Sequence, residues 1–594
     1  MAPPRRESRR AEYQHKSQRH PATARDSRGR GDRSSGNGEK SSKGGSSLLS
    51  EELLAKLNAE NEKADRSRRE TRRPHRITKK PNQRHRGKRR VVSGPALEEG
   101  RKRRSSGKQR YSPRASAKGS ELDPFTWYDT TDFNVTYTDA TVGGLSVMGL
   151  ASTWDDSKKP NDNVPALDQK FKYGTMPIRG VNIGGWLVLE PFITPSLFSS
   201  YDPKLGVVDE YTLSQHLGST EAAKTIEKHY ATFVTEETFS GIAAAGLDHI
   251  RIPYPYWAVT TYPEDPYVPK ISWRYLLRGI EWARKYGLRV NLDLHSVPGS
   301  QNGWSHSGRQ GSVGWINGTD GLLNVQRSLD IHNQLSQFFA QPRYKNIVTI
   351  YGLLNEPKMI ALPIEPVLNW TQNAFNIVRK NGVQAYIAFG DGFLGLPNWQ
   401  GKLQGLEGLV LDVHQYVIFN VDQIAYTHQN KIQFTCSGWG TQMTQSVNVA
   451  TGFGPTLCGE WSQADTDCTR YLNNVNVGAR WDGTLNTGDP RTQVLSPACP
   501  KGSGTCECSD ANADPSKYSS EYKQWLRMFA EAQMVSFEKA WGWFYWNWDT
   551  EAAVQWSWKK GMAAGILPPR AYQRDFNCSA MVPDFAASGL PETY

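Results

Sequence analysis

The chain has 594 residues and a formal net charge of +12, a total that hides two unlike parts. Residues 1–120 hold 35 of the 71 Lys and Arg against 13 of the 59 Asp and Glu, and none of the 20 Trp or 7 Cys; the remainder is left with 36 basic and 46 acidic residues. A segment so charged and so poor in aromatics cannot bury enough apolar surface to offset its ordering entropy, which excludes a packed domain there, and no window of about 20 apolar residues offers a transmembrane helix.

In chain order, residues 1–120 are predicted to be a disordered basic tail. Lys88-Arg89-Arg90 and Arg101-Lys102-Arg103-Arg104 have the charge to hold phosphates. No base-reading motif accompanies them, so nucleic acid is not an expected partner; a solvated tail, or a cytoplasmic segment under the positive-inside rule, accounts for them. Within the tail only 47–65 has helical spacing, through Leu48, Leu49, Leu53, Leu54 and Leu57. The N-terminus lacks the apolar core of a secretory signal. Phe125, Trp127, Tyr128, Phe133 and Tyr137 then arrive together, and 121–174 is predicted to be a lead-in packed on the domain that follows.

From 175 a rhythm sets in. Strands are predicted over 178–186, 247–253, 288–295, 347–355, 385–389, 409–416, 456–460 and 542–548, and helices over 220–245, 273–285, 326–340, 364–380 and 521–540. Near-continuous apolar runs such as Ile347, Val348, Ile350, Leu353 and Leu354 suit parallel strands buried on both faces. Eight strands, most separated by a helix, predict an α/β fold closed into a (β/α)8 barrel over 175–594.

The polar residues fall where barrel enzymes build their sites. Arg251, His295, Glu356, His414, Tyr416, Glu460 and Trp546 lie at or just past C-terminal strand ends. Any one alone is better read as a satisfied structural residue; seven on one rim form a constellation. Glu356 stands next to last in IVTIYGLLNEP (347–357), where Asn355-Glu356-Pro357 ends the strand, and Glu460 ends TLCGE (456–460). A carboxylate is hard to explain by packing at a strand end. Two of them, about 100 residues apart, fit the acid and the nucleophile of glycoside hydrolysis. Glu356 is assigned as acid/base and should have its pKa raised by its surroundings; Glu460 is the nucleophile and must be ionised, with Arg251 to hold it. Asn355 is placed to bond a sugar 2-OH, His295, His414 and Tyr416 complete a polar floor, and Trp304, Phe419 and Trp546 offer flat faces for sugar rings. No two His share H-x-x-x-H spacing around a helical Glu, so neither metal nor cofactor is expected.

Four N-x-S/T sequons, at Asn134, Asn317, Asn369 and Asn577, all follow the tail and point to a lumenal or extracellular setting. Cys499, Cys506 and Cys508 cluster in a Gly/Ser/Pro-rich loop that reads as disulfide-stapled. With seven thiols one stays free, and Cys458, inside the strand before Glu460, is the choice, as a small buried hydrophobe.

Several stretches together resemble fungal exo-β-1,3-glucanases of glycoside hydrolase family 5: RGVNIGGWLVLEPFITPSLF (179–198), DHIRIPYPYWA (248–258), LDLHSVPGSQNGW (292–304), LLNEP (353–357), CGEWSQADTDCTRYLNNVNVGARW (458–481) and GWFYWNWDTEAAVQWSW (542–558). The basic tail and DPFTWYDTTDFN (123–134) are similar to the membrane-anchored type. The resemblance implies a retaining exo-enzyme that releases glucose from the non-reducing end of β-1,3-glucan, with Glu356 as proton donor and Glu460 as nucleophile. It implies a glucose pocket of Glu190, Arg251, His295, Asn355, His414, Tyr416 and Trp546, and a clamp on the next sugar by Trp304 and Phe419. It implies a Cys436–Cys578 disulfide and a Cys468 bond into the 499–508 loop. The chain departs from the family at Phe192, where secreted relatives tend to have Tyr, at Ser305-His306, where Asp-Asn usually follows the clamp aromatic, and in lacking the anchored members' helix between tail and lead-in. The expected setting is the cell surface or wall, with a β-glucan as partner, membrane association by family only, and a monomeric chain; transglycosylation and β-1,6- or β-1,4-glucan hydrolysis are the alternatives.

Overall fold

The structure, a computed structural model, describes residues 137–148, 153–500 and 506–594. The tail over 1–120, its helical stretch at 47–65 and the Asn134 sequon lie outside the described residues. A short antiparallel hairpin, β1 (Tyr137–Val142) and β2 (Leu145–Met148), comes first. Eight parallel strands then close a barrel: β3 (Ile178–Asn182), β4 (His249–Pro255), β5 (Arg289–Ser296), β6 (Val348–Gly352), β7 (Tyr386–Gly390), β8 (Leu409–Gln415), β9 (Thr456–Trp461) and β10 (Gly542–Tyr545), which returns to pair with β3. This is the (β/α)8 architecture expected from the sequence.

Helices cover the outside. α1 (Glu210–Phe233) and α2 (Glu236–Ala244) join β3 to β4, α3 (Ile271–Lys285) joins β4 to β5, α4 (Gly321–Phe339) joins β5 to β6, and α5 (Ile364–Lys380) joins β6 to β7. The β7–β8 link carries only the single turn Leu396–Trp399. α6 (His428–Phe434) and α7 (Gly440–Val447) precede β9, α8 (Ser520–Phe537) precedes β10, and α9 (Trp558–Ala564) follows it. The single helix predicted over 220–245 is two. Asp209 caps the first through a hydrogen bond from the Thr212 N–H (2.8 Å), and Thr235 opens the second with its own capping box after Val234 turns extended.

β4, β5 and β9 are buried at every residue, as their apolar runs require. Three predicted strands overran their C-terminal ends: 178–186 stops at Asn182, 347–355 at Gly352 and 542–548 at Tyr545. Ile183, Leu353, Leu354 and Trp546 are still buried beyond those points. The rim loops fold back over the barrel, so the hydrophobic pattern outlasts the ladder.

At the other end the inward side chains Ile178, Ile350, Ala388, Val410, Leu457 and Phe544 form a layer closed from below by Val164, Phe171 and Trp541. The Tyr173 hydroxyl enters there too, donating to Thr349 Oγ1 (2.7 Å) and lying 2.8 Å from His249 Nε2, whose Nδ1 lies against Asp248. The segment before the barrel thus inserts side chains into its lower mouth. The hairpin packs by the buried Leu145 and Val147, and its Ser146 carbonyl accepts the Trp273 indole N–H from α3 (2.8 Å).

Candidate active site

Arg251 stands at the centre of the upper rim. From β4 it donates through Nη1 to Glu460 Oε1 (2.8 Å) and Asn182 Oδ1 (3.0 Å) and through Nη2 to Asn355 Oδ1 (2.8 Å), with Asp293 Oδ2 3.2 Å from Nη2 and Asp412 Oδ2 3.8 Å from Nε. A guanidinium has the fork geometry to serve so many acceptors at once. Its charge is held by Asp293, Glu460 and Asp412 against the cost of burial, and its pKa lies even above the usual arginine value.

Glu460 lies within β9, opposite His414 of β8 across the ladder. The Tyr416 hydroxyl, one residue past β8, donates to Glu460 Oε2 (3.1 Å), and His414 Nδ1 lies 3.4 Å from the same oxygen. Glu356 projects from the turn beyond β6 with a backbone φ of +44°, a left-handed conformation uncommon outside glycine and found where surrounding structure over-determines a functional residue. His414 Nδ1 lies 2.7 Å from Glu356 Oε1, and His306 Nε2 lies 3.2 Å from Oε2. Atoms of Glu356, His414 and Glu460 all fall within 4.8 Å of one another, so the two carboxyl groups face each other across the barrel mouth. That trio is the group among the described residues with the spacing to hold a metal ion. Arg251, Tyr416 and the two imidazoles of His414 and His306 already contact its carboxylate oxygens.

His295 of β5 bonds Asp293 Oδ2 through Nδ1 (2.6 Å), lies 3.4 Å from the Asn355 amide, and stacks on Trp546 with ring centres 5.7 Å apart. Gly184 makes room for that indole, since a Cβ there would lie 2.5 Å from the Trp546 ring. Gly459 likewise lets Asp412 pass, where a Cβ would fall 2.1 Å from Oδ1. Glu190, half-buried in the loop after β3, is raised well above the ordinary carboxylate range by burial and by the charges of Glu460 and Glu356. Trp304 reaches the pair through His306 (ring centres 5.6 Å), and Phe419, 42% exposed, through Tyr416 (5.4 Å). The two aromatics therefore flank the Glu356 side and the Glu460 side of the mouth.

The sequence predicts a raised Glu356 and a low-lying Glu460, and the two shifts run the other way. Burial raises the Glu356 carboxyl, but the hydrogen bond to His414 and the nearby His306, His414 and His295 outweigh it and bring the group down to about 2. Glu460 is raised, burial and the charge of Glu356 exceeding the pull of His414 and Arg251. His414 resolves the difference. Burial works against its charge, yet Glu460, Asp412 and Glu356 together lift it well above the ordinary imidazole value. The surroundings therefore favour a proton on His414, one hydrogen bond from Glu356.

Sequence reasoning missed Asp293, Asp412, Asn182, His306 as a contact of Glu356, and Phe393, which is 39% exposed and packs edge-on to Trp304 at 5.5 Å. A signal for two of these was present: Asp293-Leu294-His295 and Asp412-Val413-His414 repeat an Asp two residues before a His, which puts both on one face of a strand. The cysteines pair as Cys436–Cys578, Cys468–Cys508 and Cys499–Cys506, and Cys458 is free and buried. Of the described sequons, Asn369 and Asn577 are exposed, whereas Asn317 is half-buried with its amide donating to the Ala361 carbonyl (3.0 Å).

Residues 214–481 match the family profile described as Cellulase (glycosyl hydrolase family 5). The chain is similar to proteins named probable glucan 1,3-beta-glucosidase D: 60% identical over 481 residues to that of Aspergillus clavatus, covering 80% of this chain and 57% of the relative, and 59% identical over 483 residues to that of Aspergillus niger, covering 81% and 57%. The chain thus spans a little over half the length of these relatives. Among solved structures, a rutinosidase from Aspergillus niger superposes with a TM-score of 0.51 at 19% identity over 67% of this chain and 99% of that one, and a protein described as AoRut with a TM-score of 0.52 at 20% identity over 67% and 99%. At that identity the likeness speaks for the fold.

Proposed function

We propose, from the match of residues 214–481 to the glycosyl hydrolase family 5 profile, that the chain is a retaining exo-β-1,3-glucosidase releasing glucose from the non-reducing end of β-1,3-glucan. The observation that carries the reading is the spacing of the two carboxyl groups, with oxygens within 4.8 Å of each other. Retaining enzymes hold theirs about 5–5.5 Å apart and inverting ones roughly 6.5–9.5 Å, to leave room for a water. The names of the curated relatives support the linkage.

In the first step Glu460, oriented by Arg251 and Tyr416, attacks C1. The C1–O bond breaks, an ester to Glu460 forms, and the leaving oxygen takes a proton from Glu356. As Glu460 gives up its charge to C1, the attraction that keeps a proton on His414 weakens, and the 2.7 Å contact passes it to Glu356. In the second step a water gives its proton to Glu356 and its hydroxide to C1, freeing glucose and Glu460, and the 2.7 Å contact returns that proton to His414. Glu190, His295, Asn355 and Trp546 line the sugar, and Trp304 and Phe419 flank the next unit.

Three disulfides and the exposed Asn369 and Asn577 sequons support a setting outside the reducing cytosol, at the cell surface or wall. Among the described residues no helix is long and apolar enough to cross a membrane. Glu460→Gln should abolish glucose release from laminarin with an unchanged circular dichroism spectrum; wild-type-like turnover in that variant rejects the reading. Glucose assays on β-1,3-, β-1,6- and β-1,4-glucans in parallel test the linkage.

A further inference from the structure

His306 stands on the carboxyl that the proposed reaction uses as acid and base. It lies in the turn Ser305–Ser307 directly after Trp304. That turn is held from several sides. Ser307 Oγ donates to the Trp304 carbonyl (2.7 Å) and lies 2.7 Å from Ser300 Oγ, the Gly308 carbonyl accepts the Tyr211 N–H (3.0 Å), and Asp209 Oδ2 accepts the Gln310 N–H (2.6 Å). The imidazole therefore sits on a braced loop.

The two oxygens of Glu356 are divided between two imidazoles from different loops, Oε1 by His414 Nδ1 at 2.7 Å and Oε2 by His306 Nε2 at 3.2 Å. The second nitrogen of His306, Nδ1, is buried with no protein hydrogen-bond partner. A neutral imidazole has one N–H to give. Burial keeps His306 neutral down to about pH 4, so with His414 carrying the local positive charge, His306 serves as an uncharged donor.

We propose that His306 is a positioning residue for Glu356, fixing Oε2 with its Nε2–H while His414 fixes Oε1, so that the carboxyl keeps one orientation through both halves of the reaction. The proposal rests on the reading of Glu356 as acid/base. Both oxygens are bonded to donors, which favours the ionised carboxyl. The other titratable and charged groups around the two residues are Arg251 from β4, Asp293 and His295 from β5, Asp412 and His414 from β8, Tyr416 beyond it, Glu460 from β9 and Glu190 from the β3 loop. None of these reaches Oε2 at the 3.2 Å that His306 does.

The test compares His306→Ala and His306→Gln on two substrates. Laminarin needs a proton at its leaving oxygen, whereas a dinitrophenyl β-glucoside does not. In His306→Ala, kcat/KM for laminarin should fall about 10-fold or more, a share of the ~10²–10⁴-fold that a general acid supplies, while kcat/KM for the aryl glucoside stays within about 3-fold. The alkaline limb of the laminarin kcat/KM profile, which reports the proton shared by Glu356 and His414, should move to higher pH, because removing a donor to the ionised carboxyl strengthens the pair's hold on that proton, and His306→Gln, which keeps a donor, should bring the limb back. Equal losses on both substrates, or an unmoved limb, overturn the proposal. A wild-type protein that cleaves neither substrate overturns the functional reading instead. The contact itself is then judged by the His306 ring ¹⁵N signals, assigned by their loss in His306→Gln: they should shift in Glu356→Gln, and unshifted signals overturn the contact.

Discussion

At the scale of single residues, Arg251 and Glu210 show two ways of burying charge. Arg251 has four acidic or amide oxygens within 3.2 Å across β3, β5, the β6 turn and β9. Glu210, at the start of α1, has far less: Oε2 accepts the Leu189 N–H at 2.9 Å, and the remaining support comes from the neighbouring Trp257 side chain. Burial pushes its carboxyl up from 4.5 to about 8. A carboxyl raised on folding stabilises fully below its unfolded value, and that contribution is lost as pH rises through the folded value. Relative to Glu210→Gln, which does not titrate, the wild type should therefore lose on the order of 2–4 kcal/mol between pH 5 and pH 8. Urea unfolding of both proteins at the two pH values checks this, and parallel pH dependence would contradict it.

At the scale of elements, how much was legible follows from what each element buries. The eight barrel strands were readable because strands buried on both faces leave apolar runs, and the Glu356 and Glu460 positions because a carboxylate at the end of such a run stands out. The strand ends were not, because Leu353, Leu354 and Trp546 stay buried in loops that have left the ladder. The acidic partners of Arg251 and His295 were passed over because Asp293 and Asp412 look like ordinary in-strand polar residues until the barrel closes and aims them at a guanidinium. Protonation was the least legible, since it depends on three groups from β6, β8 and β9 meeting in space. The element below the barrel makes its own prediction. Tyr173→Phe leaves His249 and Thr349 short of a buried partner, and should cost about 2 kcal/mol of stability. A lowered urea midpoint with unchanged kcat on laminarin is expected, because Tyr173 sits at the end opposite the carboxyl pair.

At the scale of the whole molecule, the Cys436–Cys578 disulfide ties the last segment of the chain to the helices between β8 and β9 across 142 residues, whereas Cys499–Cys506 spans 7. In the chain-entropy account the long loop is worth about 5 kcal/mol and the short one about 2.5 kcal/mol. Thermal unfolding should therefore drop further for Cys436→Ser/Cys578→Ser than for Cys499→Ser/Cys506→Ser, and the opposite ranking would count against that account. The stopper formed by Val164, Phe171 and Tyr173 has a different consequence, for anyone trimming the polypeptide. Cutting just ahead of the first barrel strand would uncork an oily well and invite neighbouring copies to fill it, whereas a cut upstream of residue 153 leaves the cork in place.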